Sequence, residues 1–181
     1  TWAATTMIRL SCVQLLALLF MPAQANDSQT LLRFKPLQGK LNFNQSKQLQ
    51  GLPVALKSRG YILLEAGQLL WHTTAPVDSK LLVGPAGVSQ WQQQQYVAVA
   101  GSEFVGQLML AVLQQQHQFI QAHFALSDAD NHCQLLQPLQ APLSNLFVQI
   151  RLCGETTLQQ IVLQESNGNS TTIDLHPGAN L

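Results

Sequence analysis

The chain has 181 residues, enough for one domain with a sizeable core. Charged residues make up only 10 % of it, against roughly 25 % in ordinary soluble proteins, and glutamine runs at 92–95 and 114–116 supply much of the missing polarity. A formal net charge of +0 excludes the concentrated basic surface that a phosphate-backbone partner needs, so no nucleic acid is expected.

In chain order, the first element is an address. Met7-Ile8-Arg9 is followed by an apolar run over 10–21, interrupted by Ser11, Cys12 and Gln14. Pro22-Ala23-Gln24-Ala25 then offers small residues where a signal peptidase reads them. Residues 1–25 are therefore read as a secretory signal peptide with cleavage after Ala25, and 1–6 as an overlong start before Met7. The run is too short to span a bilayer, and no comparable run follows, so a soluble exported domain over 26–181 is expected. Cys12 lies near the beginning of the run, not at its end, which argues against a lipid anchor.

Residues 27–37 offer a cap at 26–28, but Pro36 breaks any helix early, so a short helix or an irregular arm is expected. Period-two alternation then dominates. It predicts strands over 40–47, 58–64, 68–73, 79–83 and 88–92, and again over 119–126, 133–136, 147–153, 158–165 and 171–175. Gly51-Leu52-Pro53, Ala66-Gly67, Gly84-Pro85-Ala86-Gly87 and Asn167-Gly168-Asn169 punctuate them as turns. Between the two groups, 101–116 reads as a helix, with Ser102 as N-cap and Glu103 near the positive end of its dipole. Phe104, Leu108, Ala111 and Val112 share a face, and Val105, Met109 and Leu113 extend it round the flank. A helix so apolar is expected to be buried on most sides, as a plug or lid. About ten antiparallel strands rarely stay open and flat. The predicted fold is mainly β: an incomplete antiparallel barrel or strongly curved sheet wrapped around that helix.

With Cys12 lost in the leader, Cys133 and Cys153 form an even pair in an oxidising compartment. They are symmetric about Pro142-Leu143, as opposed residues of a long hairpin would be, and a cross-strand disulfide is expected. Catalytic and metal patterns are thin. His72, His117, His123, His132 and His176 are scattered, and no pair has helical zinc spacing. Asp128-Ala129-Asp130-Asn131-His132 begins like a calcium loop, but Cys133 stands where the sharp turn needs glycine, so it reads as a polar turn. Ser58, Ser102 and Ser127 lack a glycine-flanked elbow. No catalytic residue, metal or cofactor is expected. An early run of basic residues (Arg33, Lys35, Lys40, Lys47, Lys57, Arg59) reads either as a docking face for anionic lipid or an acidic protein, or as ordinary solvated strand edges.

Several segments together resemble the bacterial outer-membrane lipoprotein carrier (LolA-like) family, as a divergent member. They are Phe43-x-Gln45, Leu56-x-Ser58-x-Gly60, the Gly67 turn, Leu70-Trp71 and Ala75-Pro76, then Phe147-x-x-x-Arg151-Leu152-x-Gly154, 158–165, a glycine turn and Thr172-Ile173. The resemblance implies an incomplete β-barrel closed by helices, whose apolar cavity accepts acyl chains of lipoproteins or other lipids in the periplasm. It implies an inner-membrane ABC-type complex as donor and an outer-membrane acceptor, with the chain as a monomeric carrier and not an enzyme. The alternative is a periplasmic lipid-sensing or scaffold module that binds an acyl group without shuttling it. Carriers of this family keep a basic latch residue before the tryptophan; counting back from Trp71, Glu65 or Ala66 falls there, and neither can do that job. Alternation nominates Phe43, Ile62, Leu69, Trp71, Leu81, Trp91, Phe104, Leu108, Met109, Val112, Val148 and Ile150 as inward-facing, either lining a cavity or filling a core.

Overall fold

The computed structural model describes residues 31–178. The expected leader, its cleavage point after Ala25 and Cys12 lie outside the described residues. The arm expected over 27–37 is irregular in its described part, and a bridge from Lys35 to Thr157 ties it to the sheet.

The first strands are β1 (Gly39–Gln48), β2 (Leu56–Glu65), β3 (Gln68–Ala75), β4 (Ser79–Gly84), β5 (Gly87–Gln92) and β6 (Gln95–Ala98). Helices α1 (Glu103–Leu113) and α2 (His117–His123) follow. The chain returns to strand in β7 (Phe124–Asp128) and β8 (Cys133–Pro138), passes the single turn α3 (Leu143–Leu146), and ends in β9 (Phe147–Gly154), β10 (Leu158–Glu165) and β11 (Ser170–Pro177). All eleven strands form one antiparallel sheet, in the order β6-β5-β4-β3-β2-β1-β11-β10-β9-β8-β7. Its outer strands, β6 and β7, do not pair, so the sheet is not closed into a barrel. It is the mainly β fold that the alternation predicts.

Curvature follows from where the apolar residues go. Direct cross-strand partners share a face, and the rows Leu64–Leu69–Val83–Val88 and Leu136–Ile150–Leu163 both point inward. Residues from both halves of the sheet join one core cluster with Leu108, Ala111 and Val112 of α1. A flat sheet of this width cannot bring its two halves onto one helix; a curled one does.

Three expectations need correction. The strand expected over 119–126 is helical up to His123 and extended only from Phe124; alternation of Phe119, Gln121 and His123 mimics a strand over so short a segment. Strand β6 escapes the alternation reading because its hairpin turns on Gln93 and Gln94, both at positive φ (47° and 67°), with no glycine or asparagine to announce it. Ser102 starts α1 but makes no cap bond within it. Its hydroxyl accepts the Val88 N–H (2.8 Å) and donates to the Val99 carbonyl (2.5 Å), which stitches the helix start to β5 and the end of β6.

The helix lies very close to the sheet at one point. A Cβ on Gly106 would stand 2.9 Å from the Gly84 carbonyl oxygen and 3.0 Å from the Gly87 backbone. Only glycine lets α1 seat at that depth over the β4–β5 turn. Its exposed positions are Glu103 and Gln107, while Leu108, Leu110, Ala111, Val112 and Leu113 are buried. The expectation of a helix covered on most sides holds.

The disulfide forms as expected. Cys133 and Cys153 are direct partners of β8 and β9, with Cα atoms 4.1 Å apart.

Candidate functional site

The inner face of β1 to β4 carries a row of direct partners, Leu41–Ile62–Trp71–Leu81. Ile62 is fully buried (0 %), whereas Leu41, Trp71 and Leu81 are half-buried and pack against the core. Phe43 lies diagonally from Trp71, ring centroids 4.6 Å apart. Alternation puts these residues on one face, and α1 packs against its β4–β5 side. Phe104 of α1 meets Phe119 of α2 at 5.6 Å and His123 at 4.9 Å, which binds the two helices by an aromatic cluster.

Of the sequence-nominated inward residues, Phe43, Ile62, Leu69, Leu108, Val112 and Ile150 belong to the core cluster. Trp71, Leu81, Phe104 and Met109 are partly buried against it. Two lie elsewhere. Trp91 is 44 % exposed and stacks edge-on against Tyr96, on the face of β5 opposite Val88. Val148 is 57 % exposed beside the irregularity where β9 pairs with the end of β10. A bulge breaks the period-two rule that nominated Val148.

Two grooves flank the row. One, of about 460 Å³, is lined by Leu37, Leu41, Leu158, Leu175 and Pro177 among others, and opens beside the N-terminal arm. The other, of about 660 Å³, lies at the far end of β1 to β3, with Gln45, Ser58, Lys57, Arg59 and Asp174 in its wall. Gln45 in its wall lies two residues from Phe43 on the same face of β1, whereas Asn44, Ser46, Lys57, Arg59 and Asp174 alternate to the opposite face.

Sequence reasoning missed several polar groups. Gln134 is fully buried: its amide donates to the Leu31 carbonyl (3.0 Å) and to Asp128 (3.1 Å), and its carbonyl accepts the Arg33 N–H (3.0 Å). It holds the arm onto β8. Gln115, in the α1–α2 turn at φ 54°, is buried with its side-chain carbonyl oxygen unpartnered. On the outer face, His72 bonds the Tyr61 hydroxyl (2.9 Å) and Asp78 (2.8 Å), and Lys40 stands 4.7 Å over the Tyr61 ring. His72 is thus a partner on the outer surface, as its place beside Trp71 suggests.

Glu65 is exposed at the end of β2, and Ala66 (φ 48°) with Gly67 (φ 76°) makes the tight turn into β3. Among the described residues, no group of His, Cys, Asp and Glu is placed to hold a metal ion. The stretch 128–133 is a turn in which Asp130 accepts the His132 N–H (2.8 Å). That backbone bond, with the nearby Arg151 guanidinium, holds the Asp130 carboxyl below its ordinary value.

No family model matches the chain, and no curated protein matches it. Among solved structures, it is similar to a LolA superfamily protein from Nitrosomonas europaea, at 8 % identity over 80 % of this chain and 87 % of that one, with a TM-score of 0.47. It is also similar to LprF from Mycobacterium bovis (14 % identity, 80 % and 87 % covered, TM-score 0.36). A third is an outer membrane lipoprotein-sorting protein domain from Vibrio parahaemolyticus (9 % identity, 81 % and 88 % covered, TM-score 0.30).

Proposed function

We propose that this chain is a periplasmic carrier that holds acyl chains of a lipoprotein or another lipid against the inner face of its sheet, beneath α1. The observation that carries the reading is the apolar row Leu41–Ile62–Trp71–Leu81, flanked on its β4 side by a helix that is apolar on nearly every side and with Leu41 in the wall of a groove. Burying acyl methylenes is worth about 0.8 kcal/mol each, so a chain is held without a covalent step. No catalytic residue or cofactor enters this reading.

The interior between sheet and α1 is occupied by the core side chains themselves. Cargo therefore enters by displacing α1 and α2 outward as a lid, with Trp71, Leu81, Phe104 and Met109, already half-buried, as its first contacts. The closed, self-packed state is the empty carrier. Leu69, Leu108, Val112 and Ile150 stay as the floor and inner roof of the enlarged space. On this reading the leader 1–25 directs export, and an inner-membrane ABC-type complex and an outer-membrane acceptor load and unload a monomer.

The test is gentle purification from the periplasm followed by organic extraction and mass spectrometry. Acylated species in near-stoichiometric amount are expected from the unmodified chain and are expected to be lost from Ile62→Asp. Recovery of no acylated species from folded protein would sink the reading.

A further inference from the structure

The exposed apolar side chains are not spread evenly. Antiparallel order places the β1–β2 loop, the β3–β4 turn, the α3 connection and the β10–β11 turn at one end of the sheet. Leu52 (47 % exposed), Val54 (71 %), Leu56 (55 %), Val77 (70 %), Leu146 (43 %) and Val148 (57 %) all stand there. An exposed apolar patch of this kind marks an interaction surface.

Three of these connections are tied together. The Gln50 N–H donates to the Asn169 side chain (2.9 Å), which joins the β1–β2 loop to the β10–β11 turn. The Ser166 N–H donates to the Leu146 carbonyl (3.0 Å), which joins that turn to α3. Within the first loop, the Gln48 amide donates to the Leu52 carbonyl (2.5 Å), and the Leu52 N–H donates to the Leu49 carbonyl (3.1 Å). Hydrogen bonds thus fix a loop whose aliphatic side chains nevertheless face solvent.

The acids at this end are engaged: Glu165 with Lys47 at 2.9 Å, Asp78 with His72 at 2.8 Å, and Asp174, in the wall of the larger groove, accepts the Gln160 amide at 2.8 Å. Lys57 and Arg59, at the base of the loop and in the wall of the same groove, have no acidic partner among the described residues. Aliphatic tips over unpaired cations are the composition of a surface that sinks a few side chains into a lipid interface and pairs its cations with anionic headgroups.

We infer that this end of the sheet docks onto a bilayer bearing anionic headgroups, with Leu52, Val54 and Leu56 entering the acyl boundary and Lys57 and Arg59 at headgroup level. The inference goes beyond carriage and stands whether or not the chain holds cargo. It places the larger groove against the membrane, and it selects the anionic-lipid reading of the early basic run for these two residues alone.

The experiment uses the full chain carrying Cys12→Ser and a polarity-sensitive thiol probe at Val54→Cys, with the same probe at Glu155→Cys on the opposite end as reference. Vesicles of phosphatidylglycerol are expected to shift the Val54 probe to the blue and leave the Glu155 probe unmoved. Partition onto those vesicles is expected to fall at least tenfold in the Lys57→Gln, Arg59→Gln double variant and in 0.5 M salt. Because both variants carry the same N-terminal segment, its own lipid affinity does not separate the two probes. A silent Val54 probe, an equal response at Glu155, or equal partition onto phosphatidylcholine would each overturn the inference. A concentration-dependent shift at Val54 without vesicles would assign the patch to a second copy of the chain and overturn it as well.

Discussion

At the end of the sheet where β4 turns into β5 and β7 into β8, side chains are spent on holding the fold. Ser102 stitches α1 to β5, Gly106 seats it on Gly84 and Gly87, and Cys133 is bonded to Cys153. Arg33 donates to the Asn131 and Cys133 carbonyls, and Arg151 pairs with Asp130 at 2.7 Å. At the other end, where β1 turns into β2 and β10 into β11, the ties are hydrogen bonds of the loops plus the pairs Lys47–Glu165 and His72–Asp78, and aliphatic side chains face water. A fold stapled at one end and greasy at the other has its stability and its contacts assigned to different places. The comparison is testable, because substitutions at the two ends should then fail in different assays.

The largest effect is expected from the disulfide. Opening a link between residues 20 apart in sequence restores loop entropy to the unfolded chain, worth about 3 kcal/mol in the entropy model. Cys133→Ala with Cys153→Ala should lower the denaturant midpoint accordingly, with the slope showing whether the denatured state also expands. A change under about 1 kcal/mol would mean that the disulfide end is not the stapled one.

Gly106→Ala comes next, and its sign is decided by two opposed magnitudes. Alanine gains roughly 1 kcal/mol over glycine in a helix interior. Its Cβ, however, would press on backbone at 2.9–3.0 Å, where no side chain can swing away, and overpacking of that kind costs about 1–3 kcal/mol. A net loss of about 1 kcal/mol is expected in thermal or denaturant unfolding, together with looser seating of α1. On the carrier reading the same variant takes up acyl chains faster, since the lid is already lifted; a stabilised protein would contradict the close approach.

How much of this was legible in the chain depends on the kind of signal. Regular alternation locates β11 well, because Thr171, Ile173 and Leu175 repeat one buried face along it. The Cys133–Cys153 pairing is legible because symmetry about the Pro142 turn is a property of the sequence alone. Ile62 and Leu69 are legible as inward by strand alternation, and Leu108 by the helical period of α1. What was hidden depends on geometry that no local pattern encodes. A turn of two glutamines conceals β6, a seven-residue helix passes for a strand, and the bulge beside Val148 turns that side chain outward. The apolar end is invisible for a different reason: Leu52, Val77 and Leu146 are far apart in sequence, and only strand order brings their loops to one end.

A smaller effect is expected from the Lys47–Glu165 pair at the apolar end. Burial pushes the Glu165 carboxyl up, but the Lys47 hydrogen bond and charge, with Asn167 and Thr171, outweigh it and hold the group below its ordinary value. A depressed native pKa means that the pair's contribution is present above the ordinary carboxylate value. It is lost as pH falls through the lowered native one. Lys47 is about a third exposed, so screening limits the pair to about 1 kcal/mol or less. Lys47→Gln should therefore cost little at pH 7 and remove part of the acid-induced loss of stability below pH 4. An unchanged acid profile would show that the Lys47–Glu165 pair contributes nothing to stability at this end.

The smallest effect on stability is expected where the effect on lipid contact is largest. Leu52, Val54 and Leu56 are each about half exposed or more, so replacing all three by asparagine removes little buried apolar surface. Surface changes of this kind stay within about 0.5 kcal/mol, and the Gln48 and Gln50 bonds that shape the loop use backbone groups the substitutions leave in place. Far-UV spectra and the unfolding midpoint should match those of the parent while vesicle partition collapses. If the triple variant instead lost stability comparable to the disulfide variant, these side chains would be packing residues of the fold. The two ends would then differ in composition only, not in what they do.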